Sequence, residues 1–348
     1  MNKKIIFQTG SALISILLTA LITFGFLFIL GRDPVVIFGR IFSEVFGTGY
    51  GFAQTLFKTT PLIISGCAIA ICFHAKLFNI GGEGQINAGA FVMALTATSF
   101  PGLPFLIILP LSILTGFIVS AVFGFIPAVI KVKKGVSEVI TTIMLNFISL
   151  AMVNYFLISH FAVESTIRTT KIPENFFFTK LSDFIPSFHG SPLNITLFIA
   201  LLLALIIYFT IYKTSIGYKL RAIGFNPVAS VYMSVNVNKY TIVAFVLAAG
   251  MMSFVGLNYI FGYKGFYEYG FSANIGFTAI AVSLLARNNP IGIIFSAFLF
   301  GFLDYGGLAV NELVPKEIML IFQGLVVLSI LGVNKLTDNY LKINLERN

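Results

Sequence analysis

The sequence predicts an all-α, polytopic membrane protein of about ten transmembrane helices. Three observations lead there. Hydrophobic residues make up 57% of the 348-residue chain and charged residues 10%, against roughly 25% charged in a soluble domain. Mean hydropathy is +0.96. The apolar residues fall in runs close to the about 20 needed to cross a bilayer as a helix.

The first run, residues 5–30, follows Lys3 and Lys4. It is longer than a signal-peptide core and no small-x-small cleavage pattern follows, so it reads as a retained membrane helix. Further runs lie at 52–74, 84–100, 103–130, 136–160, 193–212, 239–262, 274–288, 290–310 and 316–333. The runs 84–100 and 274–288 are short, and the latter crosses only with its flanks. Cys67 and Cys72 both lie in the second run. Five residues apart on a helix they are separated by about 7.5 Å along the axis and point in different directions, so they are packing residues rather than a disulfide.

With a cytoplasmic N-terminus and alternating sides, fourteen Lys and Arg face the cytoplasm and seven face outward. The inside set includes Lys76, Lys131, Lys133, Lys134, Lys335, Lys342 and Arg347; the outside set includes Arg32, Arg40, Lys264 and Lys316. The excess follows the positive-inside rule, so the net charge of +9 reflects topology and anionic lipid. No basic groove with interleaved aromatics points to nucleic acid. Both termini are then cytoplasmic.

Between the second and third runs, Phe78-Asn79-Ile80-Gly81-Gly82-Glu83-Gly84-Gln85-Ile86-Asn87-Ala88-Gly89-Ala90 sets three amides, a carboxylate and glycines inside an apolar chain. Broken backbone at membrane depth survives only where protein buries it or it lines a wet cavity, and transporters place their solute path at such breaks. Gln85 and Asn87 suit an uncharged, hydroxyl-rich ligand, and Glu83 is placed as a cap on the helix that follows it, where a negative charge is favourable. Asn274-Ile275-Gly276 echoes Asn79-Ile80-Gly81 from the opposite side, as two inverted five-helix halves require. Two helix N-termini then converge and offer N–H groups to a polar ligand. Asn79, Glu83, Gln85, Asn87 and Asn274 are the translocation-path candidates.

The segment 213–238 is the second informative feature. It carries Lys213, Lys219 and Arg221 without an acid. Gly224 is suited to a left-handed helix stop, Asn226 to an N-cap and Pro227 to the first position of a new helix. The expected result is a sharp turn and a short, stiff helix of about two turns over 227–235 on the cytoplasmic face. The outward loop near 161–192 balances Arg168, Lys171 and Lys180 with Glu164, Glu174 and Asp183.

Catalysis finds no support in the sequence. His74, His160 and His189 lack metal-ligand spacing, and no zincin, thiol or nucleophile-elbow motif occurs. No Walker loop is present, so nucleotide phosphates are not cradled by this chain. Lys58, Glu83, Glu138 and Asp304 are the ionisable residues within or beside runs, each placed near a run's end, which leaves little for a proton-driven carrier.

Thr60-Pro61-Leu62-Ile63-Ile64-Ser65-Gly66, followed by Phe78 to Gln85, resembles the signature of ABC-transporter permeases for simple sugars and nucleosides, within the ribose and branched-chain amino acid permease superfamily. Arg221 to Ala229 is similar to that family's cytoplasmic coupling segment, with Phe225 where many members carry an acid or Lys. Gly276 to Gly292 is similar to a third block, with Thr278 where Gly or Asp is more usual. The likeness covers about residues 52–335 of a single membrane domain, and the Asn79–Gln85 block is most similar to the nucleoside branch. It implies an importer subunit of a bacterial cytoplasmic membrane without catalysis or cofactor of its own, ATP and Mg being held by partners. It also implies a second permease (a paralogue rather than a second copy), a tandem cytoplasmic ATPase and an extracytoplasmic solute-binding protein docked on 161–192. Gly217, Lys219, Arg221, Gly224, Asn226 and Pro227 become the ATPase-coupling candidates, the cations meeting an acidic rim. An ion-coupled secondary transporter and a non-transporting scaffold are the competing readings.

Overall fold

The computed structural model describes residues 17, 21–22, 24–29, 31–315, 318–329 and 332–333. Lys3, Lys4, Lys316, Lys335, Lys342 and Arg347, and most of the run 5–30, lie outside the described residues; 24–29 are helical. The other nine runs each hold a helix. They are α2 (Gly49–His74), α3 (Gly82–Ser99), α4 (Phe105–Lys134), α5 (Glu138–Phe156), α6 (Thr196–Lys213), α9 (Val237–Met252), α10 (Ile275–Leu285), α11 (Pro290–Ala309) and α12 (Ile318–Ser329). A wider, π-helical turn extends α5 to Phe161, and a second such stretch carries the α9 run to Lys264. Among the described residues six helices are long and apolar enough to cross a membrane.

One helix falls outside the expectation. α1 (Pro34–Phe46) is capped by Asp33, whose side chain accepts the Val35 N–H at 2.9 Å, with Pro34 at the first position. It is too short to cross, and it buries Ile37, Ile41 and Val45 on one face against α11 and α2. The four-residue spacing of those side chains is an amphipathic stripe, which a search for long apolar runs passes over.

α2 is the central pillar: 89% of its apolar window is buried, against 28% for α4 and 22% for α5-to-Phe161. It touches α6, α9, α10 and α11. Its hydroxyls stay inside hydrocarbon by bonding back one turn, Thr59 to the Thr55 carbonyl at 2.8 Å and Ser65 to the Pro61 carbonyl at 2.7 Å. α3, α4 and α9 meet through small residues. A Cβ at Gly116 would sit 2.9 Å from the Gly89 carbonyl, and one at Gly124 would overlap the Phe245 carbonyl. Lipid offers no hydrophobic drive to hold helices together, so close backbone approach supplies the contact.

The α4–α5 turn closes with Gly135 at φ 68° and a Lys131–Glu138 ion pair of 2.6 Å. On the opposite side, 162–195 is an ordered loop rather than an open chain. Its backbone bonds to the stretch after α9: Ile172 N–H to Gly265 O at 2.7 Å, Thr169 N–H to Tyr267 O at 2.9 Å, and Phe178 N–H to Phe261 O at 2.7 Å. The loop is thereby stitched onto the second break of the chain, 265–274.

Candidate functional site

The first break is closed by its own polar residues. Asn79 and Gln85 exchange both amide bonds, at 2.9 and 3.1 Å, and the Asn79 oxygen also takes the Gly81 N–H. Ile80 N–H donates to Thr142 Oγ1 at 3.2 Å, and Gly84 N–H donates to Asn146 Oδ1. The Ser149 and Ser120 hydroxyls donate to the Gly84 and Gln85 carbonyls at 2.8 and 2.6 Å. These backbone groups of the break are thus met by side chains from α4 and α5 or by the break's own amides, as burial demands.

Glu83 differs from the expectation in one respect. It stands on the first turn of α3, yet its carboxylate caps α10 instead of its own helix. Oε2 accepts the Gly276 N–H at 2.8 Å; Oε1 accepts the Asn274 N–H at 3.1 Å and the Ser272 hydroxyl. Ala273 and Asn274 take positive φ, 44° and 68°, which turns those N–H groups toward the carboxylate. A Cβ on Gly276 would overlap the Glu83 backbone, so the two helix starts touch. The expected convergence of helix N-termini is present, but a carboxylate of this chain already fills it. Among the described residues no cation lies within ion-pair distance of Glu83; the α10 dipole and three donors hold its charge.

Asn87 completes the junction. Its amide donates to the Glu83 carbonyl and to Ser272 Oγ, both at 2.8 Å, and its oxygen accepts the Tyr267 hydroxyl at 2.8 Å. The structure therefore brings Asn79, Glu83, Gln85, Asn87 and Asn274 together. The first four are buried and bonded to one another or to their neighbours, and of the five, Asn274 lines a cavity.

That cavity is a recess of about 180 Å³ between α2, α10, α11 and α12. Lys58 and Asp304 form an ion pair of 3.1 Å in its wall. Lys58 stands deeper in its helix than expected, whereas Asp304 stays within two turns of its helix end. Lys58 lies nine residues into α2 and Asp304 five before the end of α11, or about 14 and 8 Å of helical rise.

The segment 213–238 holds α7 (Ser215–Phe225) and α8 (Pro227–Tyr232). Asn226 caps α8, accepting the Val228 and Ala229 N–H groups at 3.0 and 3.1 Å, with Pro227 at the first position. Gly224 does not take the expected left-handed stop; it is helical, and α7 runs one residue further. Its lack of a side chain serves packing, because a Cβ there would overlap the His74 carbonyl at the end of α2. Gly217 likewise sits against the Thr210 and Ile211 carbonyls of α6. His74 Nε2 lies 3.0 Å from the Asn288 carbonyl, in the turn between α10 and α11. α7 therefore rests on the ends of α2 and α6, and His74 ties α2 to α10.

Of the three cations of this segment, Lys213 is exposed while Lys219 and Arg221 pack against aromatic rings. Arg221 lies over the Tyr212 ring at 5.3 Å, and Lys219 donates to the Tyr240 hydroxyl at 3.0 Å; both are half-buried. The outward surface is apolar instead: Phe225 is 84% exposed and Tyr232 87%, with Val228 and Val231 beside them. The sequence signal for this surface is the apolar set Phe225, Val228, Val231 and Tyr232.

Among the described residues no cluster of His, Cys, Asp and Glu is suited to a metal ion. Residues 51–331 match the family described as branched-chain amino acid transport system / permease component. The chain is 34% identical over 330 residues to the nucleoside ABC transporter permease protein NupB of Lactococcus lactis, covering 91% of this chain and 88% of that one. It is 36% identical over 302 residues to the guanosine ABC transporter permease protein NupP of Bacillus subtilis, covering 84% of each. A second L. lactis protein, the nucleoside ABC transporter permease protein NupC, is 26% identical over 251 residues, covering 72% of this chain and 79% of its own length. That family match spans most of the chain, and the chain belongs to the family of branched-chain amino acid transport system permease components.

Proposed function

We propose that this chain is a transmembrane subunit of an ATP-driven ABC importer carrying nucleosides into a bacterial cell across its cytoplasmic membrane. The observation that carries this reading is identity of 34% and 36%, over 84–91% of the chain, to permeases named for nucleosides and guanosine. L. lactis holds two such permeases, NupB and NupC, and this chain is nearer in identity to the first. A paralogue is therefore favoured as the second permease, with a tandem ATPase holding ATP and Mg below and a solute-binding protein above.

The chain's own part is mechanical. Closure of the ATPase pushes on the apolar knob of α7 and α8. Because Gly224 lies directly on the His74 carbonyl, and His74 bonds to the α10–α11 turn, the push reaches α2 and α10 without a soft linker. At the far end of α10, Glu83 holds its N-terminus to α3, so the two inverted halves move about a shared polar joint. Outside, the 162–195 loop is bonded to Tyr267, whose hydroxyl reaches Asn87 in the same joint.

The test is reconstitution of this chain, its paralogue, the ATPase and the binding protein in proteoliposomes. ATP-dependent guanosine uptake, absent without the ATPase, is expected. Uptake by this chain alone under an ion gradient would overturn the proposal in favour of a secondary transporter. No solute-dependent flux from any assembled complex would leave a scaffold.

A further inference from the structure

The Lys58–Asp304 pair takes no part in the joint or the coupling contacts. Charged residues inside membrane helices are costly, up to about 2.5–3.5 kcal/mol at the centre on lenient scales, and those that occur mark solute and ion pathways. A pair serving stability alone is replaceable by packed apolar side chains. This one is not closed over: the two side chains keep 28% and 29% of their surface, facing the recess. Among the described residues neither makes a second ion pair. The ammonium retains donor hydrogens and the carboxylate retains acceptor sites.

Around the pair stand the Gln323 amide, the Thr278 hydroxyl, Asn274 and Tyr259. The wall is rich in donors and acceptors but carries no net charge. It is matched to a neutral solute with hydroxyl and amide groups, and offers no net attraction to a phosphorylated one. At about 180 Å³ the recess falls short of the roughly 300–1,000 Å³ of a complete small-molecule site, so one chain supplies part of the enclosure.

We propose that this recess is the chain's half of a solute-contact site in the translocation path, with Lys58, Asp304 and Gln323 bonding a passing nucleoside and the second permease closing the other side. The proposal rests on the importer reading above. Lys58→Met/Asp304→Leu together remove the pair without stranding a charge, and Gln323→Leu removes one amide. In the reconstituted complex, guanosine uptake is expected to fall about 3- to 10-fold in Gln323→Leu, the range of one lost hydrogen bond, and further in the double variant. ATPase activity stimulated by the binding protein should persist in both.

Thr278→Cys supplies a reading independent of those variants, since the native Cys67 and Cys72 are buried. Guanosine with ATP should slow labelling of Cys at this position by a polar thiol reagent, and guanosine monophosphate should not. Wild-type uptake in the double variant overturns the proposal. If that variant does not assemble, wild-type uptake in Gln323→Leu with labelling indifferent to guanosine does the same. A wild-type complex that carries ribose and not guanosine would instead overturn the nucleoside reading, and the same variants would then be read with ribose.

Discussion

The Glu83 carboxylate, on the first turn of α3, accepts the Gly276 N–H at the first turn of α10 at 2.8 Å. The helix after the first break therefore caps the helix after the second. A buried anion without a cation is tolerable here because three donors and a helix dipole converge on it.

Glu83→Ala leaves the Gly276, Asn274 and Ser272 donors buried and unmet, at about 1–3 kcal/mol for each group fully stranded. The purified protein in detergent should show a clearly lowered unfolding temperature. Glu83→Gln keeps an acceptor and should lose less. Equal stability for Glu83→Ala and wild type would remove the joint from the account. Gly276→Ala should destabilise too, since its Cβ meets backbone, which cannot swing aside.

Tyr267→Phe deletes one hydroxyl, the donor to Asn87 Oδ1 at 2.8 Å. The unmet amide oxygen predicts a loss of about 1–3 kcal/mol without change in expression at the membrane. Because the Tyr267 backbone also carries the 162–195 loop, proteolysis within that loop should quicken in the same variant. An unchanged cleavage rate would separate the loop from the joint.

Much of this architecture was legible in the chain. Apolar runs give the helices because lipid leaves no other way to satisfy a spanning backbone. The Asn226–Pro227 cap is local chemistry and reads directly. Contacts across the fold do not read so easily. Glu83 and Gly276 stand 193 residues apart, and nothing local distinguishes capping α3 from capping α10. Gly224 offers a left-handed stop to the eye, whereas its actual constraint is the His74 carbonyl of another helix. Lys219 and Arg221 look solvent-bound until Tyr240 and Tyr212 are seen beneath them. Lys58 and Asp304 were visible singly, but their pairing is a product of α2 and α11 packing.

Gly224→Val should force α7 off the end of α2, because the added side chain meets the His74 carbonyl and not a yielding side chain. Membrane insertion and ATPase binding should survive, since the knob residues are unaltered. Uptake should fall while ATP hydrolysis continues, which is uncoupling. Measuring both rates on one reconstituted sample checks it; wild-type ratios of solute moved to ATP hydrolysed would count against a direct push through this contact.

The knob itself supports a prediction that separates two pictures of docking. If cations met an acidic rim, neutralising Lys219 and Arg221 would release the ATPase. In the structure these two face Tyr240 and Tyr212, while Phe225 and Tyr232 stand 84% and 87% exposed. Large apolar side chains left in solvent mark an interaction surface, and aromatic residues are common anchors in such contacts. Phe225→Ser with Tyr232→Ser should therefore abolish co-purification of the ATPase without lowering the unfolding temperature of the permease. Lys219→Gln should retain the ATPase and lower that temperature instead, through loss of its bond to Tyr240. The same pull-down repeated at high salt adds a third reading: apolar docking persists where a charge-led contact weakens, because exposed ion pairs are screened.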